Sequence, residues 1–233
     1  MPRIARIASG GTVFHVLNRS VGRMPIFLTD KDYEAFERVI EETLDVVPMR
    51  ICAYCVMPNH WHFVLWPEND EDLAKFMQLL TTTHTQRWKH HKNLVGSGPL
   101  YQGRYKSFPV MTDRYFYQVI RYVERNPLRA NLVHRAEHWR WSSLARRSEE
   151  AVDQGGVVSN LPLELPSNWL QMVNEPQHEL ELEALRRCVR RNQPLGTDTW
   201  VKQIAKQFGL ESTLRPRGRP KKGSDPFSVS DSA

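Results

Sequence analysis

No stretch of this 233-residue chain stays apolar for the ~20 residues that a membrane-spanning helix needs. Its mean hydropathy is −0.54, so no association with membrane is expected. The opening Met1-Pro2-Arg3-Ile4-Ala5-Arg6 carries basic residues without the apolar segment of a secretory signal, and a cytoplasmic location is expected. Cysteine is scarce: Cys52, Cys55 and Cys188 are three, an odd number that builds no disulfide framework. Cys52 and Cys55 form a CxxC, but within an expected strand, on opposite faces, and with no second pair to complete a zinc set. They read as core thiols of a reducing compartment. Basic residues are missing from 151–185, which hold six acidic ones, whereas 186–222 hold 11 basic and two acidic residues. The net charge of +6 therefore conceals a basic C-terminal stretch, and a polyanion such as nucleic acid is the partner it suggests. A merely solvated tail is the competing reading.

What is present reads as a succession of short elements. Thr12 to Asn18 alternates as a strand, and Thr29-Asp30 caps a helix of about fifteen residues with Tyr33, Phe36, Val39, Ile40 and Leu44 at helical spacing. Val47 to Val56 and His60 to Trp66 read as strands joined by the turn Met57-Pro58-Asn59. A second helix is expected from Asp70 to about His91 and a fourth strand from Tyr101 to Val110. A third helix, capped by Asp113, runs to Arg125 and is ended by Pro127. The order strand, helix, strand, strand, helix, strand predicts an α+β fold of the ferredoxin-like, split βαβ kind, an antiparallel sheet with helices on one face, plus an added helix. The expected domains are 1–147, an acidic Pro/Gly-containing linker over 148–185, and a basic extension over 186–233, part helical and part disordered.

Chemistry concentrates in His60-Trp61-His62. Histidines two apart on a strand point the same way, and two buried imidazoles need partners, for which a shared metal ion or backbone carbonyls would both serve. In the third helix, Tyr122 alone among Tyr115, Tyr117 and Tyr122 has a possible metal ligand one turn on, Asn126. A phenol attacks poorly unless its target is polarised, and a cation held by His60, His62 and the Asn126 amide oxygen could polarise a phosphodiester. Arg121, Arg125 and Arg129 are positioned in sequence to bind phosphates. An amphipathic core helix with packed tyrosines is the alternative.

Four segments recur together in one family: His15-Val16-Leu17-Asn18-Arg19, Met57-Pro58-Asn59-His60-Trp61-His62, Gln102-Gly103-Arg104-Tyr105-Lys106-Ser107, and Arg121 through Ala130. With Trp139-Arg140-Trp141-Ser142-Ser143, they make residues 1–145 resemble the REP-associated branch of the single-tyrosine HUH transposases. The resemblance implies a ferredoxin-like nuclease that cuts and rejoins single-stranded DNA. In it His60 and His62 would be the metal pair, Asn126 would complete the shell, and Tyr122 would form a 5′-phosphotyrosine. A histidine pair alone favours zinc, but the resemblance implies Mg2+ or Mn2+. It also implies REP-like hairpins as substrate, a bacterial, nucleoid-associated setting, and a monomer or homodimer. Arg19, Gln102, Arg104, Tyr105 and Lys106 are candidate contacts to phosphates and stacked bases.

In the tail, Leu214-Arg215-Pro216-Arg217-Gly218-Arg219-Pro220-Lys221-Lys222 resembles an AT-hook, and its Arg215, Arg217, Gly218, Arg219, Lys221 and Lys222 suit an A·T-rich minor groove. The preceding helix, Asp198 to Phe208, reads as a core stripe or half of a helix-turn-helix. Two other functions stay open beside the transposase: a catalytically lapsed, domesticated hairpin-binding protein, and a zinc hydrolase using a water nucleophile.

Overall fold

The computed structural model describes residues 9–148 and 157–215. Strands β1 (Val13–Arg19), β2 (Arg50–Met57), β3 (His60–Trp66) and β4 (Lys106–Val110) form one sheet in the order β2-β3-β1-β4, antiparallel throughout. Helix α1 (Asp30–Val46) connects β1 to β2 and α2 (Asp72–His91) connects β3 to β4, which is the split βαβ topology expected. Asp32 starts α1 by accepting the backbone N–H groups of Leu28 and Thr29, both at 3.0 Å. β2 begins later than its β-branched run suggests, because the Val47 N–H still closes the last turn of α1 on the Thr43 carbonyl.

The sheet's two faces bury separate clusters. Phe14, Val16, Ile51, Tyr54, Val56, Trp61, Phe63 and Leu65 face α1 and α2, meeting Phe36, Ile40, Phe76 and Leu80. The opposite face is covered by the added helix α3 (Arg114–Glu124), whose Phe116, Val119, Ile120 and Val123 pack on Val13, Val64, Phe108 and Val110. The two crossover helices thus share one face and the third takes the other.

A β-bulge changes the reading of the cysteines. The register steps from Ile51↔Leu65 to Ala53↔Val64, so Cys52 is an extra residue in β2. Strict alternation would separate Cys52 from Cys55, but the extra residue returns both to the α3 face, buried and free.

Segment 148–185 is not the bare linker its composition suggests. Its described part carries α6 (Trp169–Asn174), which packs on α3 through Trp169 and Val173, and it opens α7 (Glu179–Arg191), which buries Leu182, Leu185 and Cys188. Polar and proline-rich flanks masked two short amphipathic stripes. Glu124, fully buried on α3, binds this region together: it accepts from Ser143 Oγ (2.7 Å) and Trp169 Nε1 (2.8 Å) and pairs with Arg147 of α5 (Ser143–Ser148).

Later residues also seal the sheet's borders. Beside β2, the Val56 N–H donates to the Trp141 carbonyl, Ser143 Oγ accepts from the Tyr54 N–H, and the Ser159 N–H donates to the Ile51 carbonyl. Beside β4, Leu195 N–H donates to Pro109 and Met111 N–H to Leu195, both at 2.9 Å. Helix α8 (Asp198–Gln207) then lays Ile204 and Phe208 on the first cluster, with Phe208 stacked on Phe14 at 6.0 Å. The stripe is core. The helix that follows, α9 (Glu211–Leu214), is one turn long, too short to serve as a recognition helix.

Candidate functional site

Alternation on β3 puts His60 and His62 on the α3 face, and the register with β1 sets Arg19 opposite His60 and Leu17 opposite His62. The expected pair is therefore formed, with ring centroids 5.1 Å apart and planes at 80°. Tyr122 projects from α3 onto the same spot: its ring stands edge-on to His62 at 5.9 Å and to His15 at 6.0 Å. The rival tyrosines point elsewhere. Tyr117 donates to the Glu164 carbonyl at 2.9 Å, and Tyr115 accepts from Arg114 at 3.1 Å.

α3 ends at Glu124, and the short helix α4 (Asn126–Arg129) restarts at the Asn-Pro step. This re-aims Arg129, which folds back so that its guanidinium lies 4.2 Å from the centre of the Tyr122 ring and donates to Asn126 Oδ1. Asn126 is thus brought beside Tyr122, as spacing suggested, but its amide oxygen already accepts from Arg129. Arg121 and Arg125 leave the site. Arg121 donates to the Glu175 and Pro176 carbonyls (2.8 and 3.2 Å), and Arg125 donates to those of Val173 (2.7 Å) and Asn174. They cap the C-terminal end of α6, where guanidinium charge meets unpaired carbonyls.

Burial governs the electrostatics. It pulls His60 down to about 3, helped by the nearby positive charges of Arg19 and Arg129, and holds His62 well below its ordinary range. Both imidazoles are neutral at physiological pH, the form that binds metals. Asn59 Oδ1 lies 2.6 Å from His60 Nδ1; as an acceptor it calls for the proton there and leaves Nε2 with its lone pair. Three buried nitrogens beside this cluster, Arg19 Nε, Arg129 Nη1 and Asn126 Nδ2, have no hydrogen-bond partner. All three are donors, and buried donors of this kind fit the oxygens of a phosphate.

The neutral imidazoles of His60 and His62 and the amide oxygen of Asn126 are donors of the kind a divalent cation takes. Among the described residues no group of three or more His, Cys, Asp or Glu side chains is arranged to hold a metal. A cation here would complete its coordination with water and substrate oxygens, as magnesium and manganese commonly do. These donors suit such an ion in kind, and Asn126 Oδ1 has a second lone pair beside the one that meets Arg129.

The remaining candidates lie at the same end of the sheet. Gln102, Arg104 and Lys106 are exposed and Tyr105 is half-buried; this loop is shorter in strand than expected, because Tyr101 bridges back to Ser20 and the Gln102 N–H donates to the Arg19 carbonyl. Arg104 and Tyr105 line a cleft of about 700 Å³ with Asn18 and the α2 residues Gln78, Thr81 and Thr85. Lys106 reaches instead to the Val189 carbonyl at 3.4 Å. In the tail, Arg215 is exposed, while Arg217, Gly218, Arg219, Lys221 and Lys222 lie outside the described residues.

One residue escaped the sequence reading. His15, fully buried on β1, lies with its Nε2 2.9 Å from His62 Nδ1. Its parity with Leu17 and Arg19 places it on the same face as the pair, a signal visible in the sequence once β1 and β3 are known neighbours.

A split βαβ sheet bearing paired imidazoles, with a helix-borne tyrosine and two arginines beside them, is an arrangement able to act on a phosphodiester. The family model described as IS200-like transposase matches residues 10–126, half of the chain, and the chain belongs to this family. Within it, the chain is 26% identical over 133 residues to a protein of Haemophilus influenzae (strain ATCC 51907 / DSM 11121 / KW20 / Rd) described as a REP-associated tyrosine transposase, covering 53% of this chain and 74% of that protein. Among solved structures, a REP-associated tyrosine transposase bound to a REP hairpin shares the fold at a TM-score of 0.52 and 21% identity, over 72% of this chain and 100% of that one. A transposase-like structure from Deinococcus radiodurans covers 53% of this chain and 96% of its own at 17% identity, with a TM-score of 0.37.

Proposed function

We propose that this transposase nicks and rejoins single-stranded DNA at REP-like hairpins, through a 5′-phosphotyrosine on Tyr122 and with Mg2+ or Mn2+ at His60, His62 and Asn126. The observation that carries the reading is the seat of Tyr122, between the imidazole pair and the Arg129 guanidinium, with unpaired buried donors beside it. The structure of a relative bound to a REP hairpin supports the choice of substrate class.

In this mechanism the Tyr122 hydroxyl gives its proton to solvent as its oxygen attacks phosphorus, the bond from phosphorus to the 3′ oxygen breaks, and the departing 3′ oxygen takes a proton from solvent to leave as a hydroxyl. The released hydroxyl of the same or another strand reverses the step and frees the tyrosine. Bound between His60, His62 and Asn126, the cation would polarise the phosphodiester. Arg129 and Arg19 would donate to the non-bridging oxygens, and their charge would offset the negative charge that builds there during attack. The perpendicular contacts with His15 and His62 fix the tilt of the Tyr122 ring, so little reorientation precedes attack. Loop 102–106 would hold the strand on the far side of β1, its exposed Arg104 contacting phosphate and Tyr105 a base. The basic tail would raise the local DNA concentration through contacts that weaken with salt, its AT-hook-like segment favouring A·T-rich duplex.

The test is a labelled single-stranded hairpin incubated with Mg2+ or Mn2+ and resolved under denaturing conditions. Wild type should give a covalent protein–DNA adduct; Tyr122→Phe and chelator should abolish it, and Tyr115→Phe should retain it. Cleavage without adduct would replace the reading with a hydrolase, and binding without cleavage with a lapsed hairpin-binding protein.

A further inference from the structure

His15 and His62 make a side-chain contact that the nuclease reading does not use. Their planes are parallel within 4°, their centroids are 5.1 Å apart, and the bonded nitrogens are 2.9 Å apart. Rings lying one above the other could not bring nitrogens so close without overlapping, so the imidazoles meet edge to edge in nearly one plane, joined by a straight N–H···N bond. Tyr122 stands across that plane, at 83° to one ring and 85° to the other, and Phe108 braces His15 from its edge at 4.9 Å.

One proton lies between two uncharged rings, and its owner decides what His62 offers the site. If His62 Nδ1 carries it, His15 Nε2 accepts and His62 Nε2 keeps a bare lone pair. If His15 Nε2 carries it, His62 must protonate Nε2 and shows the site a donor. In either case His15 Nδ1 is buried without a partner, so that cost does not choose between them. The surroundings do. Arg19 and Arg129 bring positive charge to this end of the sheet, which disfavours a further N–H dipole pointing at them and favours a lone pair.

We infer that His15 is a positioning residue: it accepts the Nδ1 proton of His62 and so holds that imidazole in the tautomer whose Nε2 is a ligand. The inference rests on the nuclease reading for its purpose, but not for its geometry. A metal-bound imidazole commonly donates its second nitrogen to a fixed acceptor, and loss of that acceptor typically lowers metal affinity 10–100-fold. Here the acceptor is another imidazole, supplied by the neighbouring strand.

The test uses the full chain with 15N-labelled histidine, read by long-range 1H–15N correlation without cation or DNA, and then Mn2+ binding followed by electron paramagnetic resonance. His62 should carry its proton on Nδ1 in wild type. His15→Phe should move it to Nε2 and weaken Mn2+ binding about 10- to 100-fold, and His15→Gln, which keeps an acceptor, should recover most of both. A wild-type His62 protonated on Nε2 would overturn the inference whether or not the variants fold. So would a folded His15→Phe protein with unchanged tautomer and Mn2+ affinity. The expected tautomer in a protein that binds no Mn2+ would uphold the role of His15 while removing the metal-dependent reading.

Discussion

Residues that look equivalent in sequence have opposite jobs here. Arg121, Arg125 and Arg129 recur every four positions, yet the first two cap α6 and the third lies over Tyr122. Arg129→Ala should lower the adduct-forming rate on the order of 100-fold, as loss of a transition-state donor commonly does. Arg125→Ala should leave hairpin affinity unchanged while hydrogen exchange over Trp169–Asn174 accelerates. The tyrosine, the paired histidines and Asn126 were legible because strand and helix periods fix which side chains share a face. The arginines were not, because the helical break at Asn126-Pro127 and the packing of α6 decide their direction. Another buried imidazole, His84, adds to the acid sensitivity that burial of His60 and His62 brings. Burial lowers His84 to about 3 from 6.5, where it is stacked on Phe27 and bonded to the Tyr101 hydroxyl at 2.6 Å. The unfolded chain therefore takes up the proton first, so stability present above pH 6.5 is lost as pH falls toward 3. Thermal midpoints should decline through this window as His84 removes stability on the order of 1 kcal/mol per pH unit, and His84→Gln should show a shallower decline.

At the scale of elements, the helices that close the α3 face are held by polar contacts as much as by packing. Glu124 lies fully buried between Arg147, Ser143 and Trp169. Removing it strands the guanidinium of Arg147, so Glu124→Ala should destabilise the protein by about 3–5 kcal/mol. Urea unfolding should show this as a lower midpoint with unchanged slope. Topology was readable from the alternation of strand and helix periods. The bulge at Cys52 was not, since an extra residue in β2 changes no local propensity and is defined by what β3 places opposite it. α6 and α7 were hidden for a related reason: their apolar stripes are short, and only α3 gives them something to cover.

For the whole molecule, charge is the property the sequence expressed most plainly, and the structure puts Arg19, Arg104 and Arg129 at the end of the sheet that carries His60. Removing residues after Arg215 deletes Arg217, Arg219, Lys221 and Lys222. Hairpin affinity measured against salt should then lose up to about 3 from its logarithmic slope, at roughly 0.7 per released counterion on single strands. Adduct formation at saturating DNA should persist, because no catalytic group lies there. The seams at Trp141, Ser143 and Ser159 on one flank and at Leu195 on the other bear on how copies meet. Backbone there is already matched by the chain's own later turns, so a neighbouring molecule finds little ladder to continue. Self-association would have to run through side-chain surfaces, and fibre-like stacking would first require those turns to peel away.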